Sequence, residues 1–157
     1  MSSMWNNGVK LSVFGESHSA AIGVVIDNLP AGKPIDLTKI QEFLRRRQAK
    51  SDGTTTARIE PDIPEILSGL HNGTTNGTPL AIVIQNTNTR SQDYDNVKHV
   101  VRPGHADYTG FVRYQGANDI RGGGHFSGRL TACLTAAGAI CGQILEEDGI
   151  YTVAHLL

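Results

Sequence analysis

The spacing of apolar residues along the chain predicts four strands. Apolar and polar residues alternate over 9–13, which indicates a half-buried strand that runs into Gly15. The apolar run at 22–26 predicts a second strand within the core. Two more strands are predicted at 63–70 and 80–85, because these apolar runs flank a segment rich in turn-forming residues.

A period near 3.6 residues predicts two helices. The first spans 37–47, where Thr38 and Gln41 have the spacing of a capping box. The second spans 126–147 and is followed by Gly149, a residue type that commonly ends helices. The side of this second helix predicted to face the core consists of Leu130, Leu134, Ala137, Cys141 and Leu145.

Three segments lack a clear helical or strand period. Residues 48–57 are polar and rich in Gly, Ser and Thr, so we expect a mobile loop there. Residues 86–110 are expected to form an extended loop with a functional role. The segment 150–157 is an apolar, β-like run, and a domain seldom stops within such a strand. We therefore expect the chain to be part of a longer one.

The composition restricts the class of protein. A chain of 157 residues, 39% hydrophobic and 18% charged, is typical of one globular domain. Its net charge of −1 argues against a nucleic-acid binder that relies on bulk positive charge. No uninterrupted apolar run approaches the roughly 20 residues of a membrane span, and the N-terminus lacks a signal-peptide pattern. We expect a cytoplasmic protein without nucleic-acid or membrane partners.

The two cysteines, Cys133 and Cys141, lie eight residues apart within the second predicted helix. At the rise of a helix they are about 12 Å apart, which is too far for a disulfide. We interpret them as core thiols, and no metal site is expected.

Three polar residues able to do chemistry, Glu16, Ser17 and His18, come just before the 22–26 strand. Such a cluster is either a solvated turn or a reactive site held on a rigid scaffold. The sequence of this turn alone does not decide between the two.

The segment RGGGHFSGRLT, residues 121–131, brings three glycines to the start of the second helix. Free backbone N–H groups and the helix dipole favour an anion at such a place. The spacing matches neither a Walker loop nor the dinucleotide fingerprint. A flexible connector therefore stands as the alternative interpretation.

Two further segments carry cations and a second imidazole. In VRPGHADY, residues 101–108, Arg102 and His105 share one loop, and the usual histidine pKa of about 6.5 suits proton transfer near neutrality. The first helix ends in the three arginines 45–47. Such arginines complement the helix dipole, and guanidinium groups are also natural partners of phosphate and carboxylate.

Five segments together resemble the chorismate synthase family in order and spacing: GESHSAAIGVVIDNLPAG, FLRRRQ, NTRSQDY, RPGHADYTG and RGGGHFSGRLTACLTAAGAI. The resemblance runs from about Lys10 to the last residue. It implies an α+β fold, a β-α-β sandwich with helices packed between antiparallel sheets. Residues 1–157 would be the N-terminal portion of a single domain of this family.

The resemblance also implies an activity. Family members convert 5-enolpyruvylshikimate 3-phosphate to chorismate, the last common step of the shikimate pathway towards aromatic amino acids. The reaction is an anti-1,4-elimination of phosphate that requires reduced FMN, and some members reduce the flavin with NADPH. The implied protein is a flavin-dependent lyase with a small-molecule substrate, assembled as a homotetramer.

Site residues follow from the resemblance by position. His18 and His105 match the family's two functional histidines, of which one protonates the leaving phosphate and the other lies against the reduced flavin. Arg47 matches a residue at the phosphate or nucleotide site. Arg102 and Arg129 match contacts to the anionic groups of the substrate. The tripeptide matched to flavin contacts is His125, Phe126 and Ser127.

Two positions differ from the family's usual pattern. The flavin-contacting tripeptide is usually Arg-Ser-Ser, so this chain lacks a fixed charge and one hydroxyl there. A usual arginine in the loop after Arg47 is replaced by Gly53, and Lys50 is a candidate substitute.

The residues alone also allow two alternatives to an active enzyme. One is a non-enzymatic anion- or nucleotide-binding module built on the glycine-rich helix start. The other is a truncated, inactive chain. Since the family's site draws on both halves of the chain and on neighbouring subunits, we expect the isolated 157 residues to be inactive and to bind FMN weakly at best.

Overall fold

A computed structural model describes residues 3–49, 58–89 and 100–155. The helices are α1 (Leu37–Arg47), α2 (Asp107–Tyr114) and α3 (Thr131–Glu147), and 3₁₀ segments occupy Arg121–Phe126 and Gly128–Leu130. The strands are β1 (Met4–Asn7), β2 (Val9–Gly15), β3 (Ala21–Asp27), β4 (Pro64–Ser68), β5 (Leu70–His71), β6 (Thr74–Thr75) and β7 (Leu80–Gln85).

Five of the strands form one antiparallel sheet in the order β1-β2-β3-β7-β4, and β5 pairs with β6 in a small hairpin. In the register of the sheet, Val13 lies opposite Val24 and Val24 lies opposite Ile82. Because side chains alternate along a strand, this register places the apolar residues of neighbouring strands on one face. The mixture of helices with an antiparallel sheet confirms the α+β class.

Helices α1 and α3 cover the apolar face of the sheet. Ile40 and Leu44 of α1 are fully buried, as is Ile140 of α3. The other buried residues of α3 are small, which lets this helix pack closely against α1 and the sheet. They are Ala132, Cys133, Ala136, Ala137 and Ala139. The predicted core side of this helix was therefore partly wrong: Ala137 is buried, but Leu134 is 37% exposed.

The bounds of α1 agree with the prediction, but its N-terminal cap differs. The Asp36 carboxylate accepts a hydrogen bond from the backbone N–H of Thr38 at 2.8 Å, so Asp36 is the capping residue. The Gln41 side chain, assigned to a capping box from the sequence, instead donates to the carbonyl of Asp62. An aspartate two positions before Thr38 is the stronger cap, and it leaves Gln41 free for a contact further along the chain.

Helix α3 begins at Thr131 rather than at residue 126. Ser127 has an extended backbone with a ψ of 143°, and Gly128–Leu130 form a 3₁₀ turn, so the regular α-helix starts only after them. Helix α2 was not predicted from the sequence, which indicated an extended loop over 86–110. It is only eight residues long, too short for a clear helical period.

Two other predictions concern loops and the last residues. The predicted mobile loop falls mainly on residues 50–57, including Lys50 and Gly53, and part of NTRSQDY falls on 90–99. Both stretches lie outside the described residues. The expected β-like run after residue 149 is not a strand in its described part, where residues 151–155 are exposed coil. No strand of the described residues pairs with it, and a strand forms only with such a partner.

One helical stretch in the described part, Gly128–Glu147, is long and apolar enough to cross a membrane by length and composition. Small and polar residues interrupt its apolar run, so the stretch was not predicted as a span from the sequence. Of its apolar window, 44% is buried inside the molecule. Core helices meet the same criterion, so the finding is weak evidence for a membrane span.

Both cysteines are free thiols, Cys133 buried and Cys141 half-buried. Burial raises the pKa of Cys133 to about 12 and also raises the pKa of Cys141. Both thiols therefore stay protonated near neutral pH, as expected of packing residues in a core.

Candidate active site

Residues Arg121–Phe126, here called the glycine loop, fold in a way that only glycine permits. Gly122, Gly123 and Gly124 have φ angles of 58°, 85° and 54°. A Cβ atom on Gly124 would lie 1.9 Å from the carbonyl oxygen of Asp119, so no larger residue fits there. This backbone brings the loop against the polar turn that follows β2.

That polar turn, Glu16–Ser17–His18, is held rather than solvated. Ser17 is only 2% exposed, and its N–H donates to the carbonyl of Gly124 at 3.1 Å. The His18 ring lies against Gly122, where an added Cβ would approach its Cδ2 atom to 2.6 Å. The glycine loop thus fixes the turn and leaves room for the imidazole.

Beside this turn lies a cavity of about 480 Å³, here called the arginine cavity. Three guanidinium groups line it, together with two carboxylates, so positive charge is in excess by one. These groups belong to Arg47, Arg58, Arg129, Glu60 and Asp62, and the hydroxyls of Ser17 and Ser127 also line the cavity. A cavity with this balance of charge and several hydrogen-bond donors suits an anionic ligand.

Asp62 bridges two of these arginines. Its Oδ2 accepts a hydrogen bond from Nη1 of Arg47 at 2.6 Å, and its Oδ1 accepts from Nη1 of Arg129. Asp62 is 2% exposed and has a φ of 47°, a left-handed conformation that aspartate adopts more readily than most residues. Arg129 is further held by Asn86, whose Oδ1 accepts from its Nε at 3.0 Å. The bridge fixes both guanidinium groups at one wall of the cavity.

Glu60 holds the third arginine. Its Oε1 accepts from Nη2 and Nε of Arg58 at 2.7 and 3.0 Å, and its Oε2 accepts from the N–H and hydroxyl of Thr87. Burial alone would raise the pKa of Glu60, but hydrogen bonds from Thr87, Arg58 and the N–H of Asn88 lower it to about 2. Glu60 is therefore ionised at any physiological pH.

A second cavity of about 320 Å³, here called the aromatic cavity, lies on the other side of the turn and loop. Tyr114 and Phe126 line it with ring centroids 6.1 Å apart, and His125, Glu16 and Asp119 complete much of its wall. Hydrogen bonds from Arg121 hold the pKa of Asp119 below its usual value. The lining of the aromatic cavity therefore differs in kind from that of the arginine cavity.

Both ring nitrogens of His125 contact the chain itself. Nδ1 lies 2.7 Å from the carbonyl oxygen of Gly15, and Nε2 lies 2.5 Å from the hydroxyl oxygen of Ser3. Because a carbonyl can only accept, Nδ1 carries a proton and donates it. His125 thus joins the glycine loop to β2, and both of its ring nitrogens are engaged by the chain itself.

Arg102 and His105 lie in the loop before α2 and line neither cavity. Arg102 donates to both carboxylate oxygens of Asp107, at 2.7 and 2.9 Å, which lowers the pKa of that carboxyl. Its Nη2 also donates to the carbonyl of Ile120, next to the glycine loop. The side chain of His105 is exposed.

The structure thus divides the residues singled out from the sequence into groups. Arg47, Ser127 and Arg129 line the arginine cavity, whereas His125 and Phe126 line the aromatic cavity. His18 lies against the glycine loop, whereas Arg102 donates to the carbonyl of Ile120 beside that loop and His105 is exposed. Within the described residues, no group of three potential metal ligands clusters together.

Sequence reasoning missed Arg58, Glu60 and Asp62. Their signal was present in the segment RIEPDI, where every second residue is charged and the residues between are mostly apolar. In extended chain such residues share one side. Here the charged side is turned inward, since Glu60 and Asp62 are buried while Ile59 and Ile63 are more than half exposed.

A fixed, positively charged cavity beside an imidazole defines the class of site: one suited to acid–base chemistry on an anionic small molecule. Comparison with known proteins gives the particular family. The family model for chorismate synthase matches residues 9–157. The chain therefore belongs to the chorismate synthase family.

Curated relatives and a solved structure agree with this assignment. The chain is 44% identical over 146 residues to the chorismate synthase of Dehalococcoides mccartyi, a match that covers 93% of this chain and 40% of that protein. It is 50% identical over 136 residues to that of Chitinophaga pinensis, with 87% and 41% covered. A crystal structure of chorismate synthase superposes with a TM-score of 0.67 at 31% identity, over 92% of this chain and 36% of that one. The chain spans about two fifths of the length of the curated relatives it matches.

Proposed function

We propose that the protein is a chorismate synthase, which eliminates phosphate from 5-enolpyruvylshikimate 3-phosphate to give chorismate. The observation that carries the proposal is the arginine cavity, whose fixed cations lie directly beside the turn that holds His18. In this proposal residues 1–157 form the N-terminal portion of a single domain. The whole protein is a cytoplasmic homotetramer.

The anionic groups of the substrate are bound by arginines in this proposal. Arg47 is partly exposed, at 25%, and it binds Asp62 through Nη1 while its Nη2 makes only a long contact, 3.4 Å, to the hydroxyl of Thr131. Arg129 is 6% exposed and is held mainly by the chain, so it supplies fixed positive charge with little reach of its own. Arg102, which Asp107 neutralises, contacts a substrate carboxylate at the other side of the glycine loop.

The two histidines exchange protons or stabilise charge. The His18 ring lies against Gly122, which lines the arginine cavity, and from this place an imidazolium donates a proton to a leaving phosphate. His105 is exposed in the loop before α2, which leaves it accessible to a flavin. We therefore assign the phosphate to His18 and the flavin to His105.

The described residues fit FMN as a cofactor. The rings of Phe126, Tyr114 and His125 form a wall suited to a planar ring system, and Ser127 adds a hydroxyl on the other side of the loop. When bound, reduced FMN supplies electron density to the elimination without net redox change. NADPH is the proposed source of reducing equivalents for the flavin, with Arg47 as a candidate contact for its phosphate.

The test is chorismate formation by the full-length protein under anaerobic conditions. We expect chorismate and inorganic phosphate in equal amounts with reduced FMN, and no product with oxidised FMN or without flavin. Turnover in flavin-free conditions would contradict the proposal. Binding of phosphate without any turnover would instead support a non-enzymatic anion-binding module.

A further inference from the structure

Of the three arginines that line the arginine cavity, Arg58 is the one that was not predicted as a site residue. It lies in the irregular segment before β4, and its side chain is 23% exposed. One edge of its guanidinium group is held by Glu60, which is itself fixed by Thr87 and Asn88 after β7. The position of Arg58 is therefore set by the sheet rather than by solvent.

The rest of the same guanidinium group binds Ser17. Nη1 donates to the Ser17 hydroxyl oxygen at 2.8 Å, and Nη2 donates to the Ser17 carbonyl oxygen at 2.9 Å. The N–H of Ser17 donates to the carbonyl of Gly124. Because both the N–H and the carbonyl of Ser17 are hydrogen-bonded, its backbone is fixed. Arg58 and the glycine loop thus hold the residue next to His18 from opposite sides.

These contacts determine which way the Ser17 hydroxyl can donate. An arginine has donors and no acceptor, so the hydroxyl oxygen must accept from Arg58 and cannot donate to it. Its proton therefore points away from Arg58. Ser17 lines the arginine cavity, where Arg47 and Ser127 also present donors. An anion in the cavity is a suitable acceptor for that proton.

We propose that Arg58 is a positioning residue, which aims the Ser17 hydroxyl at an anion in the arginine cavity and fixes the turn that carries His18. This inference rests on the proposed function only in one respect: the anion is identified as the phosphate of the substrate. The orientation of Ser17 does not depend on that identity. Inorganic phosphate is a sufficient probe.

The experiment is a double-mutant cycle on the full-length protein, with inorganic phosphate affinity measured by calorimetry. Hydrogen bonds to charged groups are strong enough for Arg58→Ala and Ser17→Ala each to weaken phosphate binding about tenfold or more. Because Arg58 acts through Ser17, the double variant should bind no more weakly than the worse single variant. Arg58→Lys keeps one donor to Ser17 and should restore part of the affinity. Arg45→Ala, at the exposed side of α1, is the charge-matched control and should leave phosphate affinity within twofold.

Two measurements, thermal unfolding and chorismate formation, separate this role from an effect on folding and from the proposed function. Thermal unfolding of each variant reports folding, and Arg58→Lys supplies a folded variant if Arg58→Ala unfolds. Additive losses in the cycle, or unchanged phosphate affinity in folded Arg58 variants, would overturn the inference. Coupled losses of phosphate affinity in a protein that makes no chorismate would support the inference and refute only the proposed function.

Discussion

The two cavities share a turn and a loop but are built in different ways. Ser17 and Gly122 face the arginine cavity, while their neighbours Glu16 and His125 face the aromatic cavity. In the first, buried carboxylates hold every arginine by an ion pair. In the second, the wall consists largely of rings, and its imidazole is tied to the backbone of β2.

This difference indicates a division of tasks. Fixed cations with a net positive charge bind an anion without having to reorganise, which is the arrangement that electrostatic stabilisation requires. Ring faces bind a planar group mainly through contact area. We therefore expect substitutions in the arginine cavity to change anion binding and stability. Substitutions in the aromatic cavity should change flavin binding.

The largest effects are expected at the histidines. His18→Ala and His105→Ala should each slow turnover of the full-length protein by about 10²–10⁴-fold while changing substrate affinity much less, because positioned acid–base groups contribute by this amount. The measurement is kcat and substrate affinity with reduced FMN. His71→Ala, in the exposed hairpin strand β5, is the matched control. Near-normal rates in both variants would show that the two imidazoles have only a structural role.

Removing the charge of Asp62 should cost the most stability. Asp62→Asn keeps the shape and tolerates the left-handed backbone, but leaves two arginines next to each other without their shared carboxylate. Breaking a buried ion pair typically lowers the free energy of unfolding by about 3–5 kcal/mol. Urea denaturation measures the change, with the exposed Asp148→Asn as control. A loss as small as that of the control would show that the bridge does not stabilise the fold.

The stability contributed by Glu60 should depend on pH. Its pKa is about 2 in the folded protein against an ordinary value of 4.5, so the stabilisation is complete above about pH 4.5 and is lost as the pH falls towards 2. The shift corresponds to about 3 kcal/mol. Unfolding free energies measured across this range should fall more steeply for the unmodified protein than for Glu60→Gln. Equal slopes for the two proteins would contradict the lowering of the Glu60 pKa by its hydrogen bonds from Thr87 and Arg58.

Much of the fold could be predicted from the sequence, because strands and helices that bury one face leave a period in the sequence. The strands at β2, β3 and β7 and the full length of α1 were predicted for this reason. The buried stripe of α3 was not, since it consists mainly of alanines that have no strong apolar signal.

The site was predicted only in part for a related reason. Motifs marked the glycine loop and the histidine turn, but Asp62 and Glu60 act through contacts with residues far away in the chain. Asp62 pairs with Arg129 across 67 residues, and Glu60 binds Thr87 across 27. Neither pairing has a local pattern in the sequence.

A smaller effect is expected at Arg47, which binds the ligand from a partly exposed position. Arg47→Ala should weaken the binding of a phosphorylated substrate or of NADPH about tenfold, since a charge-assisted contact is lost. Calorimetry with each ligand separately shows which of the two ligands is bound by Arg47. The neighbouring Arg45→Ala should change neither affinity. If Arg47→Ala also left both affinities unchanged, Arg47 would be only a helix-end charge.

The smallest effect is expected in the aromatic cavity. Phe126→Leu keeps an apolar side chain but removes the ring, so FMN affinity should fall about fivefold, the amount that an aromatic contact contributes. Phosphate affinity should not change. Flavin fluorescence titration and phosphate calorimetry on the same variant test both statements. A loss of phosphate affinity with unchanged FMN affinity would reverse the assignment of the two cavities.

The most direct test of the account is a crystal structure of the full-length protein with 5-enolpyruvylshikimate 3-phosphate and FMN bound. We expect the substrate phosphate inside the arginine cavity, with its oxygens within hydrogen-bond distance of Arg47 and of the Ser17 hydroxyl. We expect Asp62 still to bridge Arg47 and Arg129. A substrate phosphate bound elsewhere, with the arginine cavity filled only by water, would contradict the central claim.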